Sequence, residues 1–242
     1  MATPLTRTTT DLSPLARRVI EAYGGAERWR SATAVEATVT ARGFAFLTKT
    51  RTGVHNLNVH AETARPLVTM KPFGKGDVEV LDGNSVRIED DAGKVTASRD
   101  DARRFFPGGR RTFRWDRLDA AFFSGYALWN YLTFPALLLR EDITWTQLSD
   151  TTLEARFAPE LPTHSHVQQF HFHPDTALLR QHDYTAEVFG AWAKAANVVL
   201  EHGIWHSIPY PSRRRVTPRR SDGTPRPFPL LVGILVKDWR LV

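Results

Sequence analysis

The 242-residue chain contains no cysteine. Disulfides, zinc–thiolate sites, a thiol nucleophile and the lipobox cysteine of an N-terminal lipid anchor are therefore excluded. The opening, MATPLTRTTTDLSP, has no apolar core of the kind a secretory signal needs. Residues 1–12 are expected to form a disordered lead, and the expected compartment is the cytoplasm. No phosphate-binding loop is present, because FPGGRR lacks the Lys-Ser/Thr ending of a P-loop. FSGYA is not a nucleophile elbow, since its serine precedes one glycine and has no flanking pair. No close pair of carboxylates on a strand suggests glycosidase chemistry. Helix-turn-helix, RNP and zinc-finger patterns are also missing, so nucleic acid is not an expected partner. Without an internal repeat, a low-complexity linker or a domain boundary, residues 13–242 read as one domain, long enough for a substantial core.

What is present is ordinary for a globular chain: 42% hydrophobic and 24% charged residues. The net charge is +6, most of the basic residues are arginine, and two clusters stand out. These are RRFFPGGRRTFRWDR, from Arg103 to Arg117, and SRRRVTPRR, from Ser212 to Arg220. They suit a basic pocket mouth that attracts an anionic ligand.

SPLARRVIEAYGG predicts a helix with Ser13 as N-cap, Pro14 at the first helical position and Gly24 at the end. TAVEATVTARG alternates, with Val35, Ala37, Val39 and Ala41 on one face. Further strands are expected near Phe44–Lys49, Val54–His60 and Leu67–Met70, followed by a three-stranded meander with turns at DGN and DAG. From Ala120 to Leu139 there are twenty residues without a charge, the length of a membrane span. Asn130, Pro135 and two tyrosines interrupt that run, so no integral span is expected; the segment reads as a helix buried on both sides, ended or kinked at Pro135. Strand patterns then resume near Ile143–Leu148, Thr152–Phe157, Ala195–Leu200, Ile204–Ser207, Arg213–Thr217 and Leu230–Trp239. The expected fold is mainly antiparallel β with α: an incomplete (half) β-barrel with an N-terminal helix and a central helix plugging its concave face.

EAYGGAERWRSATAVEATVTARG resembles the helix-into-strand opening of the outer-membrane lipoprotein carrier superfamily, the LolA-like fold. GYALWNYLT and HDYTAEVFG resemble stretches of bacterial proteins described as having the same fold. The resemblance implies an open antiparallel barrel, plugged by helices, that holds acyl chains. It carries over no catalytic residue. With no export signal recognised, the expected inheritance is a hydrophobic cavity rather than lipoprotein transport.

Five of the nine histidines lie in HSHVQQFHFHPDTALLRQH. With PDT as a three-residue turn, His171 falls opposite Leu179, Gln168 opposite His182 and His166 opposite Tyr184. Alternation then sorts the side chains. One face carries His164, His166, Gln168, Phe170, Phe172, Leu178, His182, Tyr184, Ala186 and Val188. The other carries Gln169, His171, His173, Gln181, Asp183, Thr185 and Glu187 and is expected to be solvated. Three histidines on one face could hold a metal. The sequence around HSH lacks the downstream glutamate and glycine framework of a cupin, and such sites usually add a nearby carboxylate or outer partner, so no metal and no cofactor are assigned.

A mixed aromatic and polar wall suits a small-molecule pocket. Two functions are compatible with it. The first is a cofactor-free acid–base enzyme, an isomerase, cyclase, dehydratase or hydrolase, acting on a hydrophobic small molecule, for instance a polyketide-like one. There His182 is the general acid or base, Gln168 orients it, Tyr184 donates to a developing oxyanion and His164 assists. Tyr126, Trp129, Asn130, His166, Phe170 and Phe172 are the expected substrate-binding residues. The second is a non-catalytic lipid or hydrophobic-metabolite carrier. A hydrophobic small molecule is the expected partner in both, and a homodimer is compatible with either.

Overall fold

Ser13 accepts a hydrogen bond from the Ala16 N–H and caps helix α1 (Pro14–Ala22). The computed structural model describes residues 5–50, 54–106 and 114–242. From Leu5 onward the lead expected to be disordered is instead packed: Leu5 and Leu12 are buried, and the Arg7 N–H bonds to the Leu139 carbonyl. Gly24, at φ +96°, turns the chain into helix α2 (Ala26–Ser31). There Trp29 is buried and donates Nε1–H to the Tyr23 carbonyl at 2.9 Å.

Thirteen antiparallel strands among the described residues form one open sheet, built from two meanders. The first contains β1 (Ala34–Arg42), β2 (Val54–Glu62), β3 (Leu67–Pro72), β4 (Val78–Asp82), β5 (Ser85–Glu89) and β6 (Val95–Arg99). The second contains β7 (Ile143–Ser149), β8 (Thr152–Phe157), β9 (Val167–Phe172), β10 (Leu179–Thr185), β11 (Lys194–Trp205), β12 (Ile208–Pro218) and β13 (Val232–Leu241). Each strand neighbours the next in sequence, and the meanders join through β1 and β13. β6 and β7 are the free edges, so the barrel is not closed.

The segment near Phe44–Lys49, expected as a strand, is helix α3 (Phe44–Thr50). Its first N–H groups bond outward, Phe44 to the Leu230 carbonyl and Ala45 to the Leu231 carbonyl. A sheet ladder is therefore unnecessary, and Phe46 packs against Phe123.

The central run does not form one helix to Leu139. Helix α4 (Arg117–Leu132) stops short, the Thr133 N–H closes it on the Trp129 carbonyl, and a 3₁₀ turn follows at Ala136–Leu139 beyond Pro135. Asp116 and Asp119 form a reciprocal capping box at its start. Arg99 holds both carboxylates, at 2.8 Å and 2.5 Å. α4 lies on the concave side over β2–β6. Gly125 permits that approach: a Cβ there would stand 2.7 Å from the Leu81 Cβ. No helix among the described residues is long and apolar enough to cross a membrane.

Candidate functional site

Between α4 and the opposite half of the sheet the packing is incomplete. A cavity of about 500 Å³ opens there, in the size range of small-molecule sites. Its inner wall includes Phe123, Tyr184, Val216 and Val232. The same four residues line a narrower extension of about 40 Å³, bounded also by Ala127, Leu128 and Tyr131. Phe123, Ala127 and Tyr131 recur every four residues, so they form one stripe of α4. That stripe faces the cavity. The mouth is formed by α3, the segment after β10 and the β12–β13 connection, with Phe44, Trp192 and Phe228 all more than half exposed.

Beside the inner wall lies a buried polar network. The Tyr131 hydroxyl is 2.7 Å from His164 Nε2 and 2.7 Å from the Tyr184 hydroxyl. The His164 and Tyr184 rings stack at 3.8 Å with 5° between their planes. A second chain of bonds runs in one direction. His182 Nε2–H donates to Gln168 Oε1 at 2.6 Å. Gln168 Nε2 donates to Thr163 Oγ1 and to the Ser165 carbonyl. Thr163 donates to Asn130 Oδ1 at 3.2 Å, and Asn130 Nδ2 donates to the Tyr126 carbonyl at 2.7 Å. This order places the His182 proton on Nε2.

Burial sets the electrostatics. Both His164 and His182 are held well below the ordinary histidine range, first by desolvation, then by Arg103 for His164 and by His164 and Arg214 for His182. Burial also pushes Tyr131 up to about 12 and raises Tyr184. Arg214 is buried with no carboxylate bound to it among the described residues; it lies over the Tyr131 ring at 5.0 Å and donates to the Tyr131 carbonyl at 3.2 Å. A guanidinium there opposes any further positive charge nearby, which favours neutral imidazoles.

The structure separates the expected site residues. Tyr184 lines the cavity. Gln168, His182 and His164 are buried behind it and bound to one another or to Tyr131, outside the cavity lining. Trp129 faces away and donates to the Glu62 carbonyl, and Tyr126 and Asn130 are buried toward His164 and Thr163. Phe170 and Phe172 stack on Phe134 in the core. His166 is exposed, because β9 begins only at Val167 and alternation does not govern the residue before it. Among the described residues no group of three His, Asp or Glu is placed to hold a metal ion.

The hairpin register also differs from expectation. Its turn has four residues, with the His173 N–H bonded to the Leu178 carbonyl, so Phe172 pairs with Leu179. A bulge between Leu179 and Gln181 then shifts the pairing once more. The two one-residue changes cancel in parity. His182 and Tyr184 therefore face inward as expected, but His182 pairs with Phe170 rather than Gln168. Before the bulge the faces exchange, and Leu179 rather than Leu178 is the more buried.

No protein-family model and no curated protein matches the sequence. Among solved structures, a LolA superfamily protein from Nitrosomonas europaea superposes with a TM-score of 0.51 at 8% identity, over 94% of this chain and 92% of that one. The chain has a LolA-like fold. A DUF1329 family protein from Desulfovibrio piger gives a TM-score of 0.46 at 9% identity, over 94% and 91%. At these identities the likeness concerns the backbone alone. The wall and mouth residues are this chain's own. Sequence reasoning missed the mouth because α3 read as a strand. It missed Phe123, Ala127 and Tyr131 because a helix apolar nearly all round gives no sign of which stripe meets a void.

Proposed function

We propose that this protein binds a hydrophobic small molecule, with the apolar part of the ligand in the cavity between α4 and β10–β13. The observation that carries this reading is the cavity itself: about 500 Å³, open at one end and walled by Phe123, Val216 and Val232. Closing such a void with core side chains would have been favourable, at about 25 cal/mol for each Å² of apolar surface removed from water. A void in this position gives a hydrophobic small molecule a place to bind.

Native mass spectrometry of the purified protein tests this directly, with a co-purified hydrophobic molecule as the expected result. Substitution Val232→Trp, which fills the shared wall, should weaken binding of a fluorescent lipophile at least tenfold while the circular dichroism spectrum is retained. Unchanged binding would place the ligand elsewhere.

Acid–base catalysis on the same ligand is the second reading. It is favoured by one observation: Tyr184 is on the cavity wall, and its buried hydroxyl is bonded to Tyr131 and through it to His164. It is weakened by His182, whose Nε2 is occupied by Gln168 and which lies outside the cavity lining. Incubating the recovered ligand with fresh protein separates the two. A ligand of unchanged mass and structure supports binding, and a converted product supports the enzyme.

A further inference from the structure

The cavity has a polarity gradient that apolar binding does not explain. Its interior is apolar, but its lining also includes Lys49, Lys194, Arg219 and Arg226 and not one aspartate or glutamate. The absence of acids is local, since the chain carries 26 of them against 32 lysines and arginines. We infer that the ligand is an anionic amphiphile, with its tail in the cavity and its carboxylate or phosphate at the mouth between Arg219, Arg226 and Lys194. This rests on the cavity-binding reading and adds the head group to it.

The four cations come from three separate elements: α3 supplies Lys49, the start of β11 Lys194, and the β12–β13 region Arg219 and Arg226. Nothing in a sheet ladder requires them to share one opening. Among the described residues no carboxylate forms an ion pair with Lys194 or Arg226, and both are exposed. Arg219 is more informative. Among the described residues its one carboxylate contact is Asp183, 3.4 Å from Nη1, and that Asp183 oxygen also takes His171 at 3.0 Å. The Arg219 Nε is buried and takes no hydrogen bond among the described residues. An arginine on the cavity wall whose carboxylate contact is long and shared keeps charge that an anionic oxygen arriving at the mouth would meet. Lys49 reinforces the field, with its ammonium 5.4 Å from the Phe189 ring centre. Low-dielectric aromatic walls concentrate such a field at the opening, where a head group would arrive.

The test compares ligands of one chain length that differ only in the head group. Trp192 lines the mouth and is 79% exposed, so its fluorescence reports occupancy. Dodecanoate should bind at least tenfold more tightly than dodecanol at low ionic strength, and dodecyltrimethylammonium more weakly than either. Added salt should weaken dodecanoate and leave dodecanol unchanged. A dodecyl phosphate arm distinguishes the source: tighter binding than dodecanoate assigns the site to phosphate esters, weaker binding to free carboxylates. Arg219→Gln should lower the carboxylate-to-alcohol preference severalfold. Because that change also removes a partner from Asp183, Arg226→Gln provides the same reading at an exposed position. Equal affinity for dodecanoate and dodecanol would overturn the head-group inference and leave the cavity reading standing. Failure of both ligands to bind would overturn the two together.

Discussion

On the inner face of the β9–β10 hairpin, His182 lies flat on Phe170 at 4.1 Å and gives its one N–H to Gln168. On the outer face, His171 spans Thr152 Oγ1 at 3.2 Å and Asp183 Oδ2 at 3.0 Å, with Arg219 and Gln181 completing the Asp183 environment. The residue type is the same and the strands are the same. Inside, no carboxylate among the described residues is bonded to the ring, Arg214 supplies positive potential, and the imidazole is kept neutral. Outside, a carboxylate waits beside the ring and water covers one edge. What separates the two histidines is the company each face supplies, and a one-step change of register would have exchanged it.

Acid tests this contrast most severely. His164 and His182 are held well below the ordinary histidine value, whereas the unfolded chain takes up their protons near pH 6.5. Below that pH the unfolded state binds more protons than the folded one, so stability falls as pH falls and is fully present above the window. By pH 5 the two inner histidines should therefore have lowered stability measurably. Urea unfolding at pH 7.5 and pH 5 measures it, and a flat profile would mean that the inner rings are wet.

Removing the ring is the next largest perturbation. His182→Ala takes away the stack on Phe170 and leaves the Gln168 carbonyl oxygen without its donor, so a loss of about 2–4 kcal/mol is expected. A loss below about 0.5 kcal/mol, the level of an ordinary surface change, would contradict the burial. On the outer face, His171→Ala should cost about 1 kcal/mol, because Asp183 keeps Arg219 and Gln181. The smallest effect belongs to His173, whose side chain is 51% exposed; His173→Ala should stay within about 0.5 kcal/mol. A larger effect for His173 than for His171 would break the assignment of the outer face.

Much of this was legible before any coordinate. Alternation placed Gln168, Phe170, Phe172, His182 and Tyr184 on one buried face, and an even number of slips preserved that result. Asp183 was also on the outer face as read, yet it is buried. The Gln181 amide bonds to the Gly223 carbonyl, so the β12–β13 connection covers this patch. Period-two patterning cannot report a cover that arrives from forty residues away. Helix α3 was illegible for a related reason: Phe-Ala-Phe-Leu-Thr-Lys-Thr suits a strand locally, and the carbonyls of Leu230 and Leu231 that start the helix lie near the other end of the sequence. Tertiary partners outweighed local preference there.

The seam between β1 and β13 orders events in time as well as in space. β1 ends at Arg42 and β13 begins at Val232. A ribosome adding ~5–20 residues per second would leave the outer edge of β1 without its partner for roughly 10–40 s. Either meander can assemble from neighbours as it emerges, but the join waits for β13, which begins at Val232, far downstream of β1. Throughout that interval β1 offers a row of unpaired N–H and C=O groups beside Val35 and Val39, the kind of edge on which chains pair with the wrong strand. For this architecture the vulnerable moment is translation, and a chaperone that shields one strand edge would protect the whole sheet.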